Sequence, residues 1–201
     1  MFSVVIQAGG KSSRMGTDKV FLPFKGQTLL ERVTGRLASL TDDLLIISNQ
    51  ADKLNQLQYP AYPDLISGCG PLGGLYTGLV YARYPAVVMV ACDMPFANPA
   101  LLAKEAGLLD ELNVDVVIPA PGGKTEPLHA AYRKETCLPV IEEGLINGMR
   151  RLIEWHSQVR VYQLSEEEIQ TYDPHGLAFL NINTPQELKS AESMDINDIQ
   201  T

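Results

Sequence analysis

The chain has 201 residues, is 45% hydrophobic and 20% charged, and carries a net charge of −8. That balance fits one globular domain with a core of its own, and excludes a disordered, collagen-like or coiled-coil chain. The acidity argues against non-specific nucleic-acid binding, and the longest apolar run, residues 86–92, is far short of the ~20 residues that cross a bilayer. No basic residue precedes Lys11 and no long apolar segment follows the first methionine, so the expected compartment is the cytoplasm. Cys69, Cys92 and Cys137 are odd in number and form no C-x-x-C, which reads as reduced thiols. His129, His156 and His175 lack metal-ligand spacing and read as packing or surface residues.

In chain order, residues 3–8 (SVVIQA) read as a buried strand stopped by Gly9-Gly10, and residues 9–27 as loop. Thr28 and Glu31 form a capping box ahead of a helix over residues 29–40. A second buried strand covers 44–47, and a short helix is expected around 51–58. Residues 59–74 are broken by proline and glycine, and a helix follows to about residue 81. Residues 86–91 (AVVMVA) form a third apolar strand, and Asn98-Pro99 starts a helix to about residue 112. Strands are expected over 115–120, 128–132 and 159–164, and helices over 136–144 and 148–156. Ser165 and Glu168 form a second capping box, residues 179–182 read as a strand end, and a last helix runs from 184 to about 193. The expected domain covers residues 1–193, with 194–201 a frayed polar tail. Alternating strands and helices give an α/β fold: a single domain whose mostly parallel sheet is flanked by helices on both faces.

Ligands of such sheets lie beyond the carboxyl ends of the strands. There the chain has Gln7-Ala8-Gly9-Gly10-Lys11-Ser12-Ser13-Arg14-Met15-Gly16-Thr17-Asp18-Lys19. It matches neither G-x-x-x-x-G-K-[ST] nor G-x-G-x-x-G. Paired glycines leave backbone amides open to a ligand, Arg14 can grip phosphate oxygens in bidentate fashion, and Lys19 is a point charge. A phosphate loop and a plain glycine turn are the two readings. Residues 1–40 hold six Lys and Arg against two acids, while the remaining 161 hold ten against 22. That cationic stretch on an acidic chain suits a small anion, although chance clustering gives the same count. Asp93, just past an apolar strand, suits Mg²⁺ or serves as a turn residue. Asn49 and Asp64 read equally as turn residues. Asn181 and Asn183, alternating with Ile182 on a strand, point the same way toward a polar ligand or brace the last helix. Glu126 follows a Gly-Gly-Lys turn and reads as surface, and Glu166–Glu168 read as a first helical turn that offsets the helix dipole.

The run QAGGKSSRMGTDK resembles the signature loop of the nucleotidyltransferase superfamily, approximately L-x-G-G-x-S-x-R-M-G-x-D-K, with Gln7 where leucine is usual. Asp64 with Gly68-Cys69-Gly70-Pro71-Leu72-Gly73-Gly74 resembles that family's D-x-x-x-G-x-G-P-L-x-G segment, and Cys92-Asp93-Met94-Pro95-Phe96 its metal-binding segment. Glu126-Pro127-Leu128 and Asn181-Ile182-Asn183-Thr184-Pro185 resemble motifs of one branch, the molybdenum cofactor guanylyltransferases. The resemblance implies a nucleotide-diphospho-sugar-transferase-like, Rossmann-type fold. It also implies transfer of GMP from GTP to the phosphate of molybdopterin bearing molybdenum, with release of pyrophosphate. Gln7, Ala8, Gly9 and Gly10 would then meet the nucleotide, Asn49 and Asp64 its guanosine, and Asn181 and Asn183 the pterin. Arg14 and Lys19 would neutralise phosphate charge, Asp93 would hold Mg²⁺, and Glu126 would line the acceptor pocket. Molybdenum-insertion proteins and apo-molybdoenzymes are the partners it implies, with no nucleic acid and no membrane. Two alternatives remain open: a relative with another base or acceptor, such as a molybdopterin cytidylyltransferase or a sugar-1-phosphate nucleotidyltransferase, and a non-catalytic nucleotide or cofactor carrier.

Overall fold

The apolar run after the first two residues forms β1 (Ser3–Gln7), buried along its whole length. A computed structural model describes residues 1–9, 19–54 and 57–194. Past a short turn at Lys19–Phe21 comes a hairpin, β2 (Pro23–Phe24) and β3 (Gln27–Thr28). Its two central residues, Lys25 and Gly26, have φ of 47° and 84°, the doubly left-handed pair that tight hairpins need. Thr28 then starts α1 (Leu29–Leu37) with the expected capping box, followed by β4 (Leu44–Ile47) and a short edge strand, β5 (Ala61–Tyr62). Next come α2 (Gly70–Tyr81), β6 (Ala86–Ala91) and α3 (Pro99–Glu111), the last capped by Asn98, whose side chain accepts from Ala100 and Leu101 amides. The remainder is β7 (Val116–Pro119), β8 (His129–Arg133), α4 (Lys134–Ile146), β9 (Val161–Leu164), α5 (Glu166–Tyr172) and α6 (Pro185–Ser193).

The main sheet has seven strands in the order β5-β4-β1-β6-β8-β7-β9. Every neighbouring pair is parallel except those made by β8, which enters antiparallel between β6 and β7, with Ala131 opposite both Val88 and Val117. Alternation along the strands splits the core in two. Val4, Ile6, Val88 and Val90 pack with Leu30 and Val33 of α1 and Leu101 and Leu109 of α3. Val5, Leu45, Val87 and Met89 pack with Leu72 and Leu75 of α2 and Ile141 of α4. Helices therefore cover both faces, as the expected fold class requires. The second core also holds Trp155, the single tryptophan, fully enclosed near Tyr132 of β8 and edge-on to His156. A smaller cluster joins the hairpin to α6 through Phe24, Phe96, Ile182 and Ala191.

Three expected elements differ. Residues 148–156 form turns instead of a helix: Gly148, at φ 88°, ends α4, and Met149 folds back onto Gly144, where an added Cβ would meet its Sδ at 3.0 Å. Residues 179–182 form no strand; the Ile182 amide donates to the Asp93 carbonyl, and Leu180 donates locally to Leu177. The short helix expected around 51–58 is a single tight turn at Ala51–Leu54, with residues 55–56 outside the described set. The frayed tail expected beyond Met194 likewise lies outside the described residues. Among the described residues, no helix is long and apolar enough to cross a membrane.

Candidate functional site

The carboxyl ends of β1, β4 and β6 are tied together at one point. The Ala8 amide donates to Ile47 (2.8 Å), and the Cys92 amide donates to the Gln7 carbonyl (3.0 Å). Beyond them lies a cavity of about 500 Å³, with Gln7, Ala8 and Gly9 on one side and Asn49, Asp64 and the turn before α2 on the other. Five of the expected nucleotide residues therefore meet around one space. Gly10 and Arg14 lie outside the described residues; Lys19 begins the turn leading to the hairpin.

Asn49 and Asp64 clasp each other. Asn49 Nδ2 donates to Asp64 Oδ2 at 2.9 Å, and the Asp64 amide donates to Asn49 Oδ1 at 3.2 Å. Burial pushes the Asp64 carboxyl up, and the Asn49 amide opposes that by donating to the charged form. The next amide, Leu65, donates to Thr77 Oγ1 on α2, which itself donates to the Gly73 carbonyl. The loop is thus pinned to the helix behind it.

Gln7 makes a contact that its position in the sequence did not disclose. Its side chain is buried, its Nε2 donates to the Pro71 carbonyl at 3.3 Å, and its amide lies over Gly74. A Cβ on Gly74 would come within 2.3 Å of that Nε2, so the glycine is what admits the side chain. Gln7 Oε1 is buried and has no hydrogen-bond partner among the described residues.

Asp93 sits in the turn directly after β6, half-buried, with its carbonyl held by the Ile182 amide at 2.9 Å. That bond joins the Asp93 turn to the segment bearing Asn181 and Asn183. The two asparagines do not share a strand face, because there is no strand: Asn181 Nδ2 donates to the Phe179 carbonyl and the Asn183 amide donates to Glu187 Oε2. Their nearness to the site comes from the loop, not from alternation. Glu126, read as surface from its turn, is half-buried instead. Burial pushes its carboxyl up; the negative charge of Asp93 adds to that, while Lys124, 3.8 Å away, and His129 oppose it. Glu126 lies in the loop that leads into β8, and Asp93 in the turn that follows its sheet neighbour β6. Among the described residues no group of three His, Cys, Asp or Glu is placed to hold a metal. The donor set offered is a sparse one of hard oxygens, which suits an ion that keeps several waters.

A family model described as the MobA-like NTP transferase domain matches residues 4–161. A protein of Peptoclostridium acidaminophilum named "Probable molybdenum cofactor guanylyltransferase" is 35% identical, the match covering 93% of this chain and 86% of that one. A "Molybdenum cofactor guanylyltransferase" of Desulfosudis oleivorans is also 35% identical, over 94% and 93% of the two chains. Among solved structures, the molybdopterin-guanine dinucleotide biosynthesis protein A of Archaeoglobus fulgidus superposes with a TM-score of 0.85 at 27% identity, covering 96% of this chain and 97% of that one.

Proposed function

The chain belongs to the MobA-like NTP transferase domain family, and from that we propose that it transfers GMP from GTP to the phosphate of molybdopterin in the molybdenum cofactor. The observation that carries this reading is the match to guanylyltransferases of that cofactor over nearly the whole length of both chains. A phosphate oxygen of the acceptor attacks the α-phosphorus of GTP. The bond from that phosphorus to the oxygen bridging to the β-phosphate breaks, and pyrophosphate leaves with the electron pair. No enzyme nucleophile is required, so the work of the protein is positioning and charge stabilisation.

In this reading the backbone at Ala8, Gly9 and Gly10 receives the nucleotide, and Gln7, Asn49 and Asp64 form the guanosine end of the cavity. Arg14 and Lys19 neutralise charge that builds on the departing pyrophosphate. Asn181 and Asn183 face the pterin, and Glu126 lines the acceptor side. Mg²⁺ suits the hard carboxylate oxygens at this edge of the sheet: Asp93, in the turn after β6, would hold it. When bound, the ion supplies positive charge to the triphosphate oxygens. The same reading places the reaction in the cytoplasm, with molybdenum-insertion proteins and apo-molybdoenzymes as partners on either side of it.

The test is pyrophosphate release by the purified protein with Mg²⁺ and molybdopterin, with and without molybdenum, against GTP, CTP and UTP in parallel. Release with GTP alone is expected. Preference for CTP would make it a cytidylyltransferase, and turnover with a sugar 1-phosphate in place of the pterin would reassign the acceptor. Tight GTP binding with no pyrophosphate from any acceptor would make it a carrier.

A further inference from the structure

One buried histidine touches every segment that carries a residue of the acceptor half of the site. His129 opens β8 and is fully enclosed, as is Glu105 on α3. Its Nδ1 lies 3.1 Å from Glu105 Oε1, and its Nε2 accepts the Asn98 backbone amide at 3.3 Å. Since Nε2 is an acceptor there, the proton sits on Nδ1 and is donated to Glu105. The imidazole also packs edge-on to Phe179, with centroids 5.0 Å apart, and its own backbone amide donates to the Glu126 carbonyl at 3.1 Å. Three segments therefore meet on this residue: the turn from Asp93 to Asn98, the stretch from Glu126, and the loop from Phe179 to Asn183.

Stability is a poor reason for this arrangement. Glu105 Oε2 has no hydrogen-bond partner among the described residues, and burial pushes its carboxyl up. Apolar residues of equal volume commonly replace such a buried pair without loss of stability. Beyond α3 and the strand ladder, where His129 pairs with Val90, the contacts to the Asn98 amide, the Phe179 ring and the Glu126 carbonyl all lead toward the site.

We propose that Glu105 and His129 are positioning residues for guanylyl transfer, holding the Asp93 turn and the Asn181–Asn183 loop at a working separation through the Asn98 amide and the Phe179 ring. The proposal rests on the guanylyl-transfer reading above. Neither residue touches the reacting atoms. Their contribution is geometric, and displacement of a reacting group by about 1 Å is enough to cost on the order of 100-fold in rate.

The deciding variant is the double substitution Glu105→Met with His129→Phe, which fills the space with apolar atoms and keeps an aromatic ring beside Phe179. The expected result is a thermal midpoint close to that of the parent protein, GTP affinity within about threefold, and turnover lower by about tenfold or more. A double variant that is folded and turns over at the parent rate overturns the proposal. Should it fail to fold, His129→Gln and His129→Asn decide instead. The glutamine amide reaches the position of Nε2 and can accept the Asn98 amide, whereas the asparagine amide reaches only that of Nδ1. Turnover about tenfold higher for the glutamine variant supports the proposal, and equal rates overturn it. Amide hydrogen exchange at Asn98 and Ile182 gives a readout independent of catalysis: it quickens in the asparagine variant and is preserved in the glutamine variant if the pair positions these segments. If the parent protein itself releases no pyrophosphate from GTP, the reaction assignment fails, and the exchange rates still judge the positioning role.

Discussion

Asp64 and Asn49 come from loops fifteen residues apart and hold each other by two hydrogen bonds, side chain to side chain and side chain to backbone. Asn49→Ala leaves the half-buried Asp64 carboxyl without the donor that favours its charged form, so that carboxyl rises further and the loop loses its tie. GTP affinity measured by calorimetry is expected to fall by about three- to tenfold, with less effect on turnover at saturation. Asp93→Ala is expected to act in the opposite sense. Its turnover should fall by about 100-fold or more, as loss of a principal charge-stabilising group does, with GTP binding largely kept; stopped pyrophosphate release in an otherwise folded protein is the check. The place of Asp93, in the turn at the carboxyl end of β6, was legible because the apolar strand before it is unmistakable, and the Asn98 cap because its pairing with Pro99 is a local signal. Gln7 was not legible in its detail. Its contact with Pro71 spans 64 residues and depends on Gly74, and no local pattern encodes such a distance. The strand expected for Asn181 and Asn183 failed because the neighbour that pairs with Ile182 is the Asp93 carbonyl, one acceptor in a turn, where a strand would have offered a ladder.

At the scale of elements, the approach of α2 to the sheet turns on Gly78. A Cβ there would sit 2.6 Å from Val5 Cγ1, and Val5 is a fully buried β-branched residue with little room to rotate. Gly78→Ala is therefore expected to destabilise the fold by about 1–3 kcal/mol despite the better helix propensity of alanine, measured as a lower urea midpoint. The capping boxes at Thr28, Ser165 and Thr184 form with both reciprocal bonds, and two of them, Thr28 and Ser165, were readable because the signal is complete within four residues. The lost helix at 148–156 is the counter-example. Its apolar spacing is real, but Trp155 satisfies it by burial in the second core from a chain of turns. The start of α4 at Lys134, two residues earlier than expected, has a tertiary cause as well: Lys134 Nζ donates to the Val80 and Ala82 carbonyls at the end of α2.

At the scale of the molecule, two groups shape the acid limit of stability in adjoining windows. Burial pushes the His156 imidazole down to about 4 from its ordinary 6.5. As pH falls from about 6.5 to about 4, the unfolded chain takes a proton that the folded chain refuses, so stability declines. The Arg160 guanidinium holds the Asp115 carboxyl at about 2 through paired contacts at 3.0 Å. Its stabilising contribution is complete above about pH 4, the unfolded value, and is lost as pH falls through about 2. Glu105, raised by burial, works against this slope, since the folded state keeps its proton to higher pH than the unfolded chain does. Urea unfolding from pH 7 to pH 3 should therefore show a decline that begins near pH 6.5, and His156→Phe should flatten its upper part while leaving the steeper fall below pH 4. The α/β class, with a mostly parallel sheet between helices, was readable from alternating apolar strands and helices; the edge strand β5 was not, because two residues are too few to show a period. The antiparallel entry of β8 was not, because strand direction within a sheet leaves no mark on apolar periodicity.

The enclosed indole near β8 gives this protein an optical reporter of its own. As the sole tryptophan, Trp155 emits from an enclosed site near β8, the strand that lies between β6 and β7 and pairs with both. A red shift in its fluorescence therefore marks the moment the middle of the sheet opens, with no label added. The imidazole 4.7 Å away gives the same signal a second use, because a protonated ring quenches an excited indole. Dimming without a red shift in acid would report the proton arriving before the sheet comes apart.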